Sequence, residues 1–359
     1  MSAPPACAIR SWQADFYQRW FSSPALLLEE PWPALAWLLF APDLLDAAAP
    51  AWQGRLARWP SQAPAPATLP AWRQALLSHS APQLLQQAWD ALQTSLPQQT
   101  RLGRQAEKLL GFYLAASGQL QAQGVQVRSQ LPQGGWRTVG EFDFLLYASA
   151  DTLLHWELAT KFYLYAPLQN GAAAPDYFLG PNLADSLGAK MRKILQRQLG
   201  LGQLGAAQLA LPLQAAQAYV KGWLFYPWRV ADVEDFSGRQ ELTALCQSTG
   251  LSPAHCRGWW CRLSDWAMLD ASLGAPHWRL LPRLRWLAPA WLAPQHADQA
   301  RPCHAWAGEL AQQFAQQAMP QLMAAMQPGA DGVWRECARV FVAPDDWLLR
   351  ARAGERGAG

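Results

Sequence analysis

Apolar positions along this chain change their period, and the changes divide it. Up to about residue 97 they recur at helical spacing, broken by proline punctuation such as EEPWPALAW and WPSQAPAPATLPAW. This pattern predicts an N-terminal helical region over 1–99, with a flexible Pro/Ala connection near 60–68. Leu102, Ala106, Leu109, Leu110 and Tyr113 then fall on one stripe of a further helix, with Glu107 at its margin. After it the period becomes two. GVQVRSQL, WRTVGEFDFLLY and TLLHWELATKFYLY read as successive strands. GPNLADSLGAKMRKILQRQLG places Leu183, Leu187, Met191, Ile194 and Leu195 on a helical face, and AQAYVKGWLFYP is another strand.

Helix, three strands, helix and strand in succession predict an α/β fold, a mixed sheet flanked by helices, with its core over 100–230. Beyond 230, RGWWCRLSDW, HWRLLPRLRWLAP and VWRECARVFV read as strands, with a helix around 304–326. Pro282 cannot donate to a ladder, so the middle one is an edge or bulged strand. The region 231–359 is a C-terminal α+β portion free to extend the same sheet. No internal repeat is present.

Candidate chemistry gathers in the second and third strands. Strict alternation puts Glu141, Asp143 and Leu145 on one face and Phe142, Phe144 and Leu146 on the other. On the next strand His155, Glu157, Ala159 and Lys161 share a face. A turn at Ala148–Asp151 opposes Asp143 either to Glu157 or to His155, and both registers collect acids. Like charges about 5 Å apart destabilise a pair, so a divalent cation or a lysine must offset them. A carboxylate-held metal beside a lysine suits hydrolysis of a phosphodiester; a structural salt-bridge cluster accounts for the same residues. On the following helix Lys190, Lys193 and Arg197 continue a stripe from Ser186, placed to meet phosphates, to complete the site, or to stay solvated.

Composition narrows the class. The chain has 359 residues, 51% hydrophobic and 15% charged, enough for a large core. A signal-peptide pattern and long uninterrupted apolar runs are both lacking, so a soluble, cytoplasmic protein without membrane association is expected. The six cysteines are irregularly spaced, and reduced thiols are expected. A net charge of +3 requires any nucleic-acid partner to meet a local basic patch. The 21 tryptophans are expected mainly as buried anchors. GLGQLG at 200–205 follows a helix and so does not read as a dinucleotide turn. His255, Cys256, Cys261, Cys303 and His304 lack zinc spacing. The arginines of 277–285, with Trp259 and Trp260 as stacking candidates, fit a phosphate backbone less well than a solvated edge strand.

RLGRQAEKLLGFYL, GEFDFLLY, HWELATKFYLY, GPN, LFYPW and LPRLRWLAP together resemble the uncharacterised bacterial family called domain of unknown function 1853. The central part resembles the PD-(D/E)xK nuclease superfamily, a restriction-endonuclease-like core. That resemblance implies a hydrolase in which Asp143 and Glu157 bind Mg²⁺ or Mn²⁺ and, with Lys161, form the catalytic set, supported by Glu107, Glu141 and Lys190. It implies a nuclease acting on nucleic acid, with Lys190, Lys193 and Arg197 at phosphates. The superfamily places lysine two residues after the acid, whereas here Ala159 holds that position. Lys161 lies about 13 Å along the strand from Glu157 instead of about 7 Å. Lys161 leaning back, a lysine from the next helix, and a catalytically inactive scaffold that binds nucleic acid or a protein are the accounts this departure leaves open.

Overall fold

A computed structural model describes residues 30–57, 68–166, 174–205, 208–209, 211–228, 239–274 and 276–354; most of the Pro/Ala connection near 60–68 lies outside them. The N-terminal stripes fold as α1 (Trp32–Phe40), α2 (Thr68–Leu77), α3 (Gln83–Ser95) and α4 (Leu102–Ala116), and α4 buries the five predicted stripe residues. Alternating segments follow as β1 (Leu120–Gln130), β2 (Trp136–Tyr147) and β3 (Leu153–Tyr165). Next come β4 (Phe178–Leu179), α5 (Leu187–Lys193), α6 (Leu201–Gly205) and β5 (Leu213–Pro227). The remainder forms α7 (Arg239–Thr249), β6 (Cys256–Arg262), α8 (Trp266–Ser272), β7 (His277–Leu280), β8 (Trp291–Leu292), α9 (Cys303–Gln316), β9 (Gln321–Pro328), β10 (Trp334–Ala343) and α10 (Trp347–Gly354).

All strands join one mixed ten-stranded sheet in the order β1-β2-β3-β5-β6-β10-β9-β7, with β4 on β3 and β8 on β10. The C-terminal strands thus extend the sheet of the central core. The run β3, β5, β6, β10 is parallel, so helical crossovers must cover the sheet. One face packs on α1, α3, α4 and α10, and the other on α5, α7, α8 and α9. Tryptophans anchor both layers: Trp37, Trp156, Trp223, Trp260, Trp266, Trp278 and Trp347 are all fully buried. No helix among the described residues is long and apolar enough to cross a membrane.

Four readings need correction. The strand expected over 277–289 stops at Leu280, because Pro282 ends the ladder and Arg283–Arg285 form a 3₁₀ turn; β7 is nonetheless an edge strand. The helix expected to 326 ends at Gln316, and Leu322–Met326 lie in β9, buried on both faces and therefore without a period to read. The helix after the hairpin begins only at Leu187. Leu183 sits in a turn at φ 60°, and the Ser186 hydroxyl caps the helix by accepting from the Ala189 N–H at 3.1 Å. Trp259 and Trp260 are buried, and the Trp260 indole donates to the Tyr165 carbonyl, so neither offers a free face for stacking.

Candidate active site at the fork between the second and third strands

β2 and β3 pair from Tyr147 opposite Leu153 to Phe144 opposite Trp156, which selects the register opposing Asp143 to Glu157. At Asp143 the ladder ends. The Leu158 N–H, which a continuing strand would supply with a backbone carbonyl, donates to Asp143 Oδ2 at 2.9 Å. Beyond that point β3 continues against β5 while β2 stays with β1. A fork therefore opens at the two acids.

The simple alternation expected for β2 fails at the same place. Phe142 and Leu145 pack in one cluster with Val127 and Leu201, while Phe144 and Leu146 join the opposite core. Gly124, in the left-handed region at φ 68°, lies across from Asp143, between the pairs Gln123–Phe144 and Val125–Phe142. A conformation that only glycine adopts without strain switches the faces of both strands there. Asp143 is thereby turned to the fork.

Glu157 is 2% exposed. Its Oε1 accepts from the Gln198 side-chain amide, and its buried Oε2 has no donor. Burial, then the neighbouring Asp143 charge, raises Glu157 to about 8. Burial, then Glu107, raises Asp143 to about 6 against the Leu158 hydrogen bond and Lys190, which lower it. Burial and the Asp143 charge thus favour the protonated form of Glu157 near neutrality. His155 is fully buried against the Phe142 ring at 4.7 Å, with Nε2 4.0 Å from Glu157 Oε2; burial lowers it to about 4, leaving a neutral imidazole.

Supporting charges arrive from two helices. Arg104 on α4 bridges Glu107 at 2.6 Å and Glu141 at 3.2 Å, holding both acids at the margin of the fork. Lys190 on α5 is half-buried; burial lowers its pKa, while Glu157 and Asp143 oppose that effect. Its Nζ donates to Gln198 Oε1 at 3.2 Å. A π turn over Ile194–Gln198, closed by Leu199 N–H to the Ile194 carbonyl at 2.9 Å, inserts a residue into the helix. That insertion brings Gln198 onto the face of Lys190, eight residues away, instead of beyond it. Lys193 and Arg197 are exposed. Lys161 pairs with Asp185 at 2.7 Å, and the Tyr163 hydroxyl donates to the same carboxylate at 3.2 Å.

Glu107, Lys161, Asp185 and Lys190 all border a solvent-open cleft of about 440 Å³. Among the described residues, no three His, Cys, Asp or Glu side chains converge to form a closed metal cage. The open oxygen of Glu157 and the adjacent Asp143 suit a hard cation of the kind that keeps several waters and takes one or two protein carboxylates.

A family model described as "Domain of unknown function (DUF1853)" matches residues 33–343. The chain belongs to the DUF1853 family. No curated protein and no solved structure matches it. The DUF1853 match begins within α1 and ends at the last residue of β10, so it runs across the whole sheet. In this DUF1853 chain Gln198, Asp185 and Arg104 are the site residues that sequence reasoning passed over. Arg104 could have been found three residues before Glu107 on the same helix. Gln198 could not, because a regular helix would turn it away from Lys190.

Proposed function

We propose that this DUF1853 chain is a metal-dependent phosphodiesterase acting on nucleic acid, with Mg²⁺ or Mn²⁺ held by Asp143 and Glu157. The observation that carries the reading is the fork itself, where the buried Glu157 lies beside the half-buried Asp143, one Glu157 oxygen lacks a donor, and a cleft bordered by Lys161 and Lys190 opens next to them. The order α4, β1, β2, β3, α5, β5 resembles the PD-(D/E)xK core, and the acids on β2 and β3 fall where that core carries its own. Bound there, the cation supplies a water ionised near neutral pH and positive charge beside the phosphoryl oxygens. Asp143 and Glu157 would hold it as carboxylates, once Glu157 has lost the proton that its raised pKa favours. Lys190, kept near both acids by Gln198, orients the attacking water and faces the charge developing on phosphorus. Of the three accounts of the displaced lysine, the position of Lys190 favours a lysine from the following helix. Lys161, held by Asp185, contributes a positive wall to the cleft.

A second reading, a non-catalytic nuclease-like scaffold, is favoured by the engagement of Lys161 with Asp185 instead of with the acids. Calorimetric titration of Mg²⁺ and Mn²⁺ into wild type and Asp143→Asn, alongside assays on single-stranded and duplex DNA and RNA, separates the two. The expected result is metal binding and cleavage in wild type and neither in the variant. Equal metal affinity in both proteins would remove the metal site, and metal binding without cleavage would leave the scaffold.

A further inference from the structure

The cleft beside the acids does not end at the fork. It shares a wall, made by Pro181, Asn182, Arg283 and Trp286, with a second chamber of about 200 Å³. The two chambers differ in chemistry. The first is bordered by Arg101 just before α4, Lys161 on β3 and Lys190 on α5, whose positive charges outnumber the two acids, Glu107 and Asp185, that also border it. The second is lined by Leu280, Leu281, Pro282 and Met319. Arg283 stands at their junction, exposed, with its guanidinium 5.7 Å from the Trp286 ring centroid. Neither Arg101 nor Arg283 forms an ion pair among the described residues, so both are available to an anion.

A polyanion with apolar, flat side groups matches this succession: charge at the first chamber, an apolar surface one step farther on. Single strands are held in this way, by a positive groove that follows the backbone and by apolar or aromatic surfaces that take unpaired bases. A duplex keeps its bases stacked inside and offers the apolar chamber nothing to bury. The volumes are of small-molecule size, suited to one or two nucleotides and too confined for two paired strands. Trp286 is packed between Phe162 and Phe341 and is 7% exposed, so it serves as the floor under Arg283 and not as a stacking face.

We propose that the two-chambered groove binds a single-stranded segment or frayed end of nucleic acid, its phosphates at Arg101, Lys190 and Arg283 and one unpaired base in the chamber of Leu280 and Met319. The proposal rests on the phosphodiesterase reading for the identity of the polyanion, and it adds the strand state of the substrate and the path that strand takes. The experiment uses fluorescence anisotropy with the full chain carrying Asp143→Asn, so that no strand is cut. The probes are a labelled single-stranded DNA and a blunt duplex of the same sequence, in the Asp143→Asn protein alone and with Arg283→Glu or Met319→Asp added. The single strand is expected to bind at least about tenfold tighter than the duplex, and each added substitution to remove about tenfold or more of that affinity. Both positions are outside the buried core, and unchanged thermal unfolding verifies that each variant is folded. Tighter binding of the duplex, or single-strand affinity unchanged in both variants, would overturn the groove. A groove-dependent affinity in a wild-type protein that cleaves nothing would retain the groove and reject the phosphodiesterase. Cleavage that is indifferent to Arg283→Glu and Met319→Asp would do the reverse.

Discussion

Counted inward from either edge, the sheet has the same plan: β1-β2-β3-β5 from one side and β7-β9-β10-β6 from the other, three antiparallel strands followed by a parallel one. The third strand of each half carries a glutamate closed off from solvent, Glu157 at 2% exposure and Glu336 at 3%. Their surroundings are opposite. Glu336 receives Arg339 Nε at 2.8 Å, Arg339 Nη2 at 2.9 Å and the Ala290 N–H at 2.7 Å, so both its oxygens are answered. Arg339 in turn donates to the carbonyls of Trp286 and Ala288 and lies 4.2 Å from the Trp223 ring centroid. Glu157 has one donor, Gln198, an open oxygen and a second acid beside it. A buried carboxylate with both oxygens met holds a loop in place. One left partly unmet, next to a cleft, is the feature on which the proposed metal site rests.

The largest break in this comparison comes from removing the partner that Glu157 lacks and Glu336 has. Arg339→Ala leaves Glu336 buried without its counter-charge and is expected to cost about 3–5 kcal/mol of stability by urea denaturation. Metal affinity at the fork, measured on the folded protein, should not change. A loss below about 1 kcal/mol would mean that the two glutamates do not differ in the way their contacts indicate.

On the other side of the comparison, Lys190→Ala removes the cation nearest the acids and should lower kcat for metal-dependent cleavage by about 10²–10³-fold, the scale for loss of one charge-stabilising donor. Lys161→Ala should cost less, since Asp185 already neutralises that side chain. Reversal of this ranking would return the catalytic lysine to β3.

The hairpin and its acids were legible in the sequence because the two-residue period of β2 and β3 is strong and its charged interruptions stand out against apolar neighbours. The sequence allows three accounts of the lysine, one of them Lys190 on the following helix, because the choice depends on which helix face turns toward the fork. Gly124 shows the same limit: on its own strand it reads as a weak position, yet across the ladder it decides which way Asp143 points. In the second half, Glu336 and Arg339 are three residues apart, a spacing that in a strand predicts opposite faces. The register shift between Glu336 and Ala338 restores them to one side. Irregularities that insert or flip one residue shape both glutamate sites, and periodicity does not see them.

Glu157→Gln sharpens the comparison through pH. The folded-state pKa of Glu157 is raised, so the protonated form is favoured by folding; its stability contribution is complete below the unfolded value and is lost as pH rises through about 8. Glutamine offers an amide N–H where the protonated carboxyl has an O–H, and has no charge to bury. The variant should therefore exceed wild type in stability on the order of 2 kcal/mol above about pH 8, with the difference shrinking toward about pH 5. His155 and His255, lowered by burial, act in the opposite sense at acid pH and are common to both proteins, so subtraction removes them. A pH-independent difference between the two proteins would mean that Glu157 is not the group that keeps the proton.

The smallest effect tests the π turn. Gln198→Ala deletes the one donor to Glu157 and the acceptor of Lys190, leaving the carboxylate more dependent on its proton. The pair then releases that proton at higher pH, and a cation must compete with it for longer. Apparent Mg²⁺ affinity is expected to fall by about three- to tenfold near pH 7, a loss of about 1 kcal/mol, and to recover as pH is raised past that of the wild-type transition. The shape of the titration carries the argument. A Gln198 that only stabilised the helix would lower affinity equally at every pH, whereas one that tunes Glu157 displaces the whole profile to the alkaline side. A parallel drop without displacement would assign the inserted residue to packing alone.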